Sequence, residues 1–493
     1  MHQERLIPYS YARNHGIIAL TNPSDPTFIQ VFHLPQTPNQ ILLEIQRFLD
    51  TDKLEFHCIQ EEIFSQKLSN FYQDQSTLTG HQDWLGEELE LNSLAKDIPK
   101  HQDLLDSQND APIIKLINAL FMQAVKEKAS DIHIETYESR IVVRFRVDGI
   151  LNEILSLDPN VAPLVITRIK VMAHLDIAEK RLPQDGRISL RVAKHHIDVR
   201  VSTLPANHGE RVVMRILDKQ AQQLNLSLLG MPPQLLQQIE HIISQPHGIL
   251  LVTGPTGSGK TTSLYAMLSR MDTDTLNILT IEDPIEFDLP GISQTQTNSK
   301  IDMTFAKGLR AILRQDPDVV MIGEIRDLET AEIAIQASLT GHLVFSTLHT
   351  NHALGAISRL QDMGVEPFLL STSLLGVLAQ RLLRKLCPNC KTSHTIEAKS
   401  LTWLEHPSDE TYTIYQPKGC EQCHFSGYKG RMGIFEFIIC DDHLKAMIHR
   451  QDNPQNMEMY IRQSTPSIRH DGWAQVLAGH TSINELLRVT SDY

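Results

Sequence analysis

The stretch "GPTGSGKT" at 254–261 fits the pattern G-x-x-x-x-G-K-[ST]. Gly254, Gly257 and Gly259 let the backbone turn tightly and aim its N–H groups at phosphate oxygens. The helix expected to follow adds its positive N-terminal end. Lys260 is placed to reach the β- and γ-phosphates, and the Thr261 hydroxyl to ligate magnesium. The pattern sits after the apolar run "GILLVT" and before a helix-forming run, which separates a phosphate cradle from a chance glycine turn.

Such a site usually has a second strand ending in an Asp that helps hold the metal ion. Here "DPDVVMIGEIRD" (316–327) ends its apolar run in Gly323 and Glu324 instead. Other carboxylates are at hand. "NILTIEDPIEF" (277–287) carries Glu282, Asp283 and Glu286, and Pro284 breaks that strand and aims the last of them into the cleft. A parallel sheet gathers the C-terminal ends of its strands along one crevice, so Glu282, Glu286 and Glu324 are expected near the same phosphates. Hydrolysis needs one carboxylate to position a water and help in holding the metal, jobs that Glu286 and Glu324 can divide. The competing reading is a merely polar strand end. "SLTGHLVFSTLHTN" (338–351) sets His342 and His349 on either side of a short strand. Either can sense the γ-phosphate, although a strand-flanking histidine is more often structural.

Four of the six cysteines form "CPNC" (387–390) and "CEQC" (420–423), with 29 residues between the pairs. In a reducing compartment such pairs favour metal over disulfide. Cys387, Cys390, Cys420 and Cys423 suit tetrahedral zinc, in a structural site because four thiolates close the shell. Cys58 and Cys440 stand apart.

The elements that must position these groups follow from pattern. The 493 residues leave room for three or four domains, and 41% hydrophobic with 21% charged residues is an ordinary globular balance. No apolar run approaches the roughly 18 residues of a membrane span. "MHQERLIPYSYARNHG" lacks the apolar centre of a signal peptide. A net charge of −14 argues against coating nucleic acid. Residues 1–110 hold a net −10, which leaves −4 for the other 383 and suggests a separate acidic module. Within it "ILLEIQRFL" (41–49) and "EEIFSQKLSNFY" (61–72) have helical spacing, and the charged stretch 86–110 reads as a flexible linker. "PIIKLINALFMQAVKEKA" is an amphipathic helix, capped by Asp110 and with Pro112 in its first turn. Strands are expected at 140–149, 195–205 and 211–217. From about 225 short apolar strands alternate with helices, which implies a parallel sheet covered on both faces.

"GPTGSGKTT", "IEDPIEF", "LRAILRQDPDVVMIGEIRD" and "TGHLVFSTLHTN", in that order, resemble the Walker A, Asp, Walker B and His boxes of the secretion ATPase superfamily. That resemblance covers about 110–493. It implies an α/β fold with a RecA-like P-loop ATPase core and parallel central sheet (223–493), including a zinc insert (385–432) and a helical C-terminal segment (433–493). It places a PAS-like α+β domain (111–222) and a small docking domain (1–85) ahead of the core. In that family the Walker B box normally ends in Gly-Glu. The resemblance implies ATP and magnesium bound by Gly254, Pro255, Thr256, Gly257, Ser258, Gly259, Lys260, Thr261 and Thr262. It makes Glu286 the catalytic carboxylate and Glu324 an organiser of magnesium and water, and it raises the standing of His342 and His349. Arg187, Arg200, Arg215, Arg310 and Arg314 look like family arginines, some of which reach the phosphates as fingers; the competing reading for each is a surface salt bridge. Arg431 matches an arginine that the family places near the nucleotide.

The start "LIPYSYARNHGIIAL" (6–20) and the tetracysteine insert are similar to the type II secretion branch. Membership there implies a homohexameric motor that hydrolyses ATP to drive pseudopilus assembly. It also implies docking of the first module on the cytoplasmic domain of an inner-membrane platform protein, acidic lipid as a further contact, and peripheral attachment on the cytoplasmic side. A type IV pilus assembly ATPase and a nucleotide-switched scaffold with little turnover are the alternatives. Pilus homologues usually carry a longer N-terminal region, which favours secretion, and the full carboxylate set speaks against the scaffold.

Overall fold

The structure, a computed structural model, describes residues 15–21, 28–49, 53–60, 111–192, 195–218, 226–397 and 411–490, with Ile7, Ile63, Phe64, Lys67 and Leu91 as single positions. The linker expected at 86–110 lies outside these apart from Leu91, as does most of the helix expected at 61–72. Contacts divide the chain into two units, Met1–Phe145 with Asn152–Gln220, and Arg146–Leu151 with Ala221–Tyr493.

The first unit opens with β1 (Ile17–Thr21), β2 (Ile29–His33), α1 (Asn39–Leu49) and β3 (Leu54–Cys58). β1 pairs antiparallel and β3 parallel with β2. Their core gathers Ile17, Ile18, Leu20 and Val31 against Ile45 of α1. Then follow α2 (Ala111–Lys126), β4 (Asp131–Thr136), β5 (Ile141–Val147), β6 (Ile150–Leu157), α3 (Ala162–Met172), β7 (Gln184–Val192), β8 (His195–Ala206) and β9 (Gly209–Asp218). Along α2, Ile113, Leu116, Ile117, Leu120, Phe121 and Ala124 are buried, the one-sided stripe of a helix lying on a core. The six strands β4–β9 form one sheet in the order β6-β5-β4-β9-β8-β7. β7, β8 and β9 are a meander, with Asn207 and His208 turning β8 into β9.

The second unit runs α4 (Pro233–Ile243), β10 (Gly248–Thr253), α5 (Lys260–Leu268), β11 (Ile278–Glu282), β12 (Ser293–Gln296), α6 (Phe305–Ile312), β13 (Val319–Ile322), α7 (Leu328–Leu339), β14 (Leu343–Leu348), α8 (Ala353–Asp362), α9 (Pro367–Ser373) and β15 (Leu374–Leu386). The hairpin β16 (Thr392–Glu397) and β17 (Thr411–Gln416) follows, then β18 (Tyr428–Ile439) and the helices α10 (Asp442–His449), α11 (Pro454–Ile461), α12 (Ile468–Leu477) and α13 (Ile483–Val489). Seven strands form the central sheet in the order β12-β11-β13-β14-β10-β15-β18. Every neighbouring pair is parallel except the edge pair β15–β18. Along β10, Ile249 and Leu251 enter the core on one face while Leu250 and Val252 enter the core on the other. Burial on both faces is what a parallel sheet between helices requires, and each such side chain contributes roughly 1.5–3 kcal/mol. The helical segment expected from residue 433 begins later. Residues 433–439 are the second half of β18, paired with β15.

Candidate nucleotide site

The phosphate loop leaves the end of β10 on three glycines with positive φ: 149° at Gly254, 79° at Gly257 and 90° at Gly259. A Cβ at Gly254 would stand 2.6 Å from both the Gln380 carbonyl oxygen and Ser258 Oγ, so only glycine fits there. Gly259 occupies the N-cap of α5 without a side-chain cap. The first N–H groups of that helix therefore face the loop's interior uncapped, the arrangement that receives an anion. Pro255, Thr256 and Gly257 are exposed at the rim, Ser258 is buried, and Thr261 and Thr262 are half-buried in the first turn of α5.

Lys260 is buried, and its Nζ donates to the carbonyls of Gly254 (2.6 Å) and Pro255 (3.2 Å). Burial, with the Arg381 charge adding to it and Glu324 opposing it, pushes the ammonium down to about 8. A buried ammonium whose contacts are carbonyl oxygens is short of an anion, and phosphate oxygens fit that need.

Glu324 sits on the turn after β13. Thr347 Oγ1 donates to the Gly323 carbonyl (2.7 Å), and the Ile325 N–H donates to the Thr347 carbonyl (3.0 Å). Hydroxyls and backbone of β14 thus fix the turn. The Glu324 carboxylate takes a hydrogen bond from Arg326 Nη2 and pairs with His349 Nε2 at 3.3 Å. Burial works against its ionisation, but the hydrogen bond and charge of Arg326, with His349 behind them, outweigh it and hold the carboxyl below the usual range. Arg326 also reaches Asp283 at 3.6 Å. Lys260, Glu324 and His349 are therefore brought to one edge of the sheet, past the ends of the adjacent strands β10, β14 and β13. Glu286 is half-buried on the turn beyond β11, at the same edge.

Two expectations need correction. Glu282 does not face the cleft. It is 2% exposed, and its carboxylate accepts from Tyr265, from Thr280 Oγ1 (2.6 Å) and from Gln294 Nε2 (3.0 Å). In a strand the alternation of faces turns Thr280 and Glu282 the same way, here into the interior beside α5. His342 does not join the site within one subunit. It precedes β14, whose first residue pairs with Gly248 and whose last pairs with Thr253. At about 3.3 Å per residue the strand separates the two histidines by roughly 20 Å. His342 instead closes the C-terminal turn of α7, Nδ1 donating to the Ala337 carbonyl at 2.8 Å.

Arg187, Arg200 and Arg215 lie in the first unit and are cross-strand neighbours, Arg187 opposite Arg200 on β7–β8 and Arg200 opposite Arg215 on β8–β9. Like charges side by side disfavour one another, and Asp131, opposite Arg215 on β4, relieves one end of the row through a 3.0 Å contact. Arg310 and Arg314 are exposed at the end of α6. Arg310 pairs with Glu329 at 2.7 Å, and Arg314 donates to the Arg310 carbonyl. Arg431, exposed on β18, lies 3.5 Å from Asp148.

Pattern reading passed over several supporting residues. Gln380 of β15, 2% exposed, donates Nε2 to the Ser258 carbonyl at 2.7 Å and so pins the loop from beneath. Arg381, also buried, donates to the Asn351 carbonyl (2.6 Å), just beyond His349. Tyr265, fully buried on α5, carries the hydroxyl that meets Glu282. Their signal in the sequence is only a polar pair inside "LLGVLAQRLLRKL" and a tyrosine one turn beyond the phosphate loop.

The four cysteine sulfurs of the insert lie within 4.8 Å of one another. Cys387–Cys420 and Cys390–Cys423 are 3.8 Å apart and Cys420–Cys423 is 3.7 Å. Zinc–sulfur bonds of about 2.3 Å in a tetrahedron put sulfurs about 3.8 Å apart, whereas a disulfide needs about 2.05 Å. The cluster therefore fits a tetrahedral thiophilic ion. The N–H groups of Cys420 and Gly427 donate to Cys423 Sγ at 3.2 and 3.3 Å and favour its thiolate. Among the described residues no helix is long and apolar enough to cross a membrane.

Residues 106–488 match the family described as Type II/IV secretion system protein, and residues 6–72 match a domain family of GSPII protein E. The Type II secretion system protein E of Pseudomonas aeruginosa is 53% identical over 99% of this chain and 97% of its own. The Type II secretion system ATPase E of Vibrio cholerae is 51% identical over the same shares. Among solved structures, the Legionella pneumophila ATPase DotB covers 80% of this chain and 99% of its own, with TM-score 0.56 and 19% identity, a likeness of fold. The pilus retraction motor PilT with bound ADP covers 76% and 96%, with TM-score 0.51 and 25% identity.

Proposed function

The chain belongs to the type II/IV secretion system protein family, as a type II secretion ATPase, and from that premise we propose how its residues carry the reaction. The observation behind the reading is the meeting of Lys260, buried among carbonyls, with Glu324 and His349 at the mouth of the phosphate loop. The loop N–H groups and Lys260 hold the β- and γ-phosphates, and Thr261 with Glu324 would hold magnesium. Bound there, magnesium would supply positive charge against the negative charge that develops on the phosphates. Glu286 orients the attacking water, and His349 steadies Glu324. Arg187, Arg200 and Arg215 present a row of guanidinium groups that serves the phosphates when subunits of a homohexamer close. Arg310, Arg314 and Arg431 are secondary candidates for the same role.

ATP hydrolysis in this reading drives pseudopilus assembly. The first module docks on the cytoplasmic domain of an inner-membrane platform protein and so keeps the motor at the membrane's cytoplasmic face. The four cysteines hold a structural zinc ion.

Steady-state ATP hydrolysis by the wild type and Glu286→Gln tests this, each alone and with the platform domain plus acidic lipid, with nucleotide binding followed in parallel. The expected outcome is a wild-type rate that the partner raises, and a variant that binds ATP and turns it over at least about a hundredfold more slowly. A variant with the wild-type rate would move the water-positioning role to Glu324. No turnover by either protein would favour the scaffold.

A further inference from the structure

The turn that carries Glu286 is held from below by a buried polar unit. Tyr265, on the helix that begins in the phosphate loop, is fully buried, yet its hydroxyl has three partners. It donates to the Glu282 carboxylate, and it accepts from the Glu286 N–H at 3.4 Å and from Gln294 Nε2 at 3.3 Å. A phenol has one O–H to donate, and the carboxylate accepts that hydrogen bond. Burial, with the Glu282 charge, pushes the phenol well above its ordinary value, so the proton stays on oxygen. Gln294, half-buried on the edge strand β12, grips the same turn at two further points. Its Nε2 donates to the Phe287 carbonyl at 3.2 Å, and its Oε1 accepts from the Leu289 N–H at 2.7 Å. The Phe287 ring packs edge-on to Tyr265, centroids 4.7 Å apart at 79°.

Three backbone groups between 286 and 289 are thus fixed by two side chains, one from the nucleotide-binding helix and one from the sheet edge. Glu282 is the hub. Its described partners are neutral donors, Tyr265, Thr280 and Gln294, with no cation among them. A buried carboxylate held this way is costly to assemble and tolerates little displacement of its donors. An apolar core residue in place of Tyr265 would fill the same volume and leave the Glu286 amide and the Glu282 carboxylate each short of a partner.

We propose that Tyr265, Glu282 and Gln294 are positioning residues that set the Glu286 turn relative to the phosphate loop. The proposal rests on the reading of Glu286 as the water-orienting carboxylate. The Tyr265 hydroxyl ties α5, which begins in the phosphate loop, to the Glu286 amide, so the carboxylate is held in register with the phosphates. Because none of the three touches the nucleotide loop's N–H groups, their loss acts on turnover and spares binding.

The test uses the full-length, zinc-loaded protein. Tyr265→Phe removes one oxygen from a ring that stays in place. Its kcat should fall about tenfold to a hundredfold, while KM for ATP stays within about threefold and the melting temperature within about 4 °C. Deuterium exchange should quicken at the amides of 286–289 and stay unchanged in the phosphate loop. Gln294→Met, at a half-buried edge position, removes two of the anchors without entering the core and should give the same split, which keeps the test decisive if Tyr265→Phe folds poorly. An unchanged kcat in both variants overturns the proposal. So does a parallel change of kcat, KM and melting temperature, the signature of lost packing. Glu286→Gln is run alongside. If it is inactive while Tyr265→Phe turns over normally, positioning alone is refuted; if it keeps the wild-type kcat, the reading of Glu286 fails and the positioning proposal falls with it.

Discussion

The phosphate loop and the tetracysteine insert both bring small polar or sulfur groups together around one point, but they are stabilised in opposite ways. The loop is backbone. It sits at the end of β10, a strand buried on both faces, and is pinned by Gln380 and by three glycines whose dihedrals other residues adopt poorly. In the insert the hairpin residues Ile396, Tyr412 and Ile414 join a core with Trp473 and Val476, whereas the four cysteines cluster only with one another. A loop that borrows the whole sheet's stability can stay poised for a ligand that comes and goes. A knuckle without a core needs a ligand that stays, because bonds to the ion replace buried apolar surface. The largest expected effect breaks the two apart. Cys390→Ser should take zinc content, read by elemental analysis, from one per chain to none. It should remove on the order of 10 kcal/mol of local folding energy, seen as rapid deuterium exchange over residues 387–427. ATP affinity should change by less than about threefold, since the loop's supports lie in the sheet. A tenfold loss of affinity would show that the insert also holds the loop.

A second prediction uses the charge buried in the loop. Burial brings Lys260 down to about 8 in the free protein. Phosphate oxygens beside it stabilise the charged form and raise that value, so binding takes up a proton at any pH between the two. Affinity for ATP is then full below about pH 8 and falls about tenfold per pH unit above it. Calorimetry at pH 8.5 in two buffers of different ionisation enthalpy should return about three-quarters of a proton taken up, and Lys260→Arg should return none. No proton uptake in the wild type would mean that the loop opens Lys260 to water before nucleotide arrives.

How much of this the sequence revealed follows the same division. The glycine loop, the apolar strands β10, β11, β13 and β14 and the two CxxC pairs were legible, because each is a local pattern with one chemical use. Glu282 was misplaced because β11 is buried on both faces. With no polar face for comparison, alternation could not say which way the carboxylate turned, and its partner Tyr265 is 17 residues away in sequence. The strand β15 was not foreseen. In "LLGVLAQRLLRKL" Val377 is the one β-branched residue, and leucines favour helix in isolation. Pairing with β10 on one side and β18 on the other overrides that preference. Gln380 and Arg381 were hidden with it. The arginine row on β7, β8 and β9 needed the register, since residues 187, 200 and 215 share a face only once the meander is drawn.

The smallest expected effect concerns the two ends of β14, one residue type under two conditions. His349 stands at the site edge against Glu324, at 3.3 Å. His342, at the far end, donates to the Ala337 carbonyl instead. A hydrogen bond to a charged group is worth about 1.5–3 kcal/mol and a neutral one about 0.5–1.5 kcal/mol. His349→Ala should therefore lower kcat about tenfold, through a Glu324 left to Arg326 alone. His342→Ala should lower stability by about 1 kcal/mol in denaturant unfolding and leave the kcat of the isolated protein within about twofold. If His342→Ala matched His349→Ala in kcat with no loss of stability, the far end of the strand would act on the nucleotide of another subunit, because within one chain the length of β14 keeps them apart. Running both variants above and below the concentration at which subunits associate separates these cases, since an effect carried between subunits disappears on dilution and an effect within the chain does not.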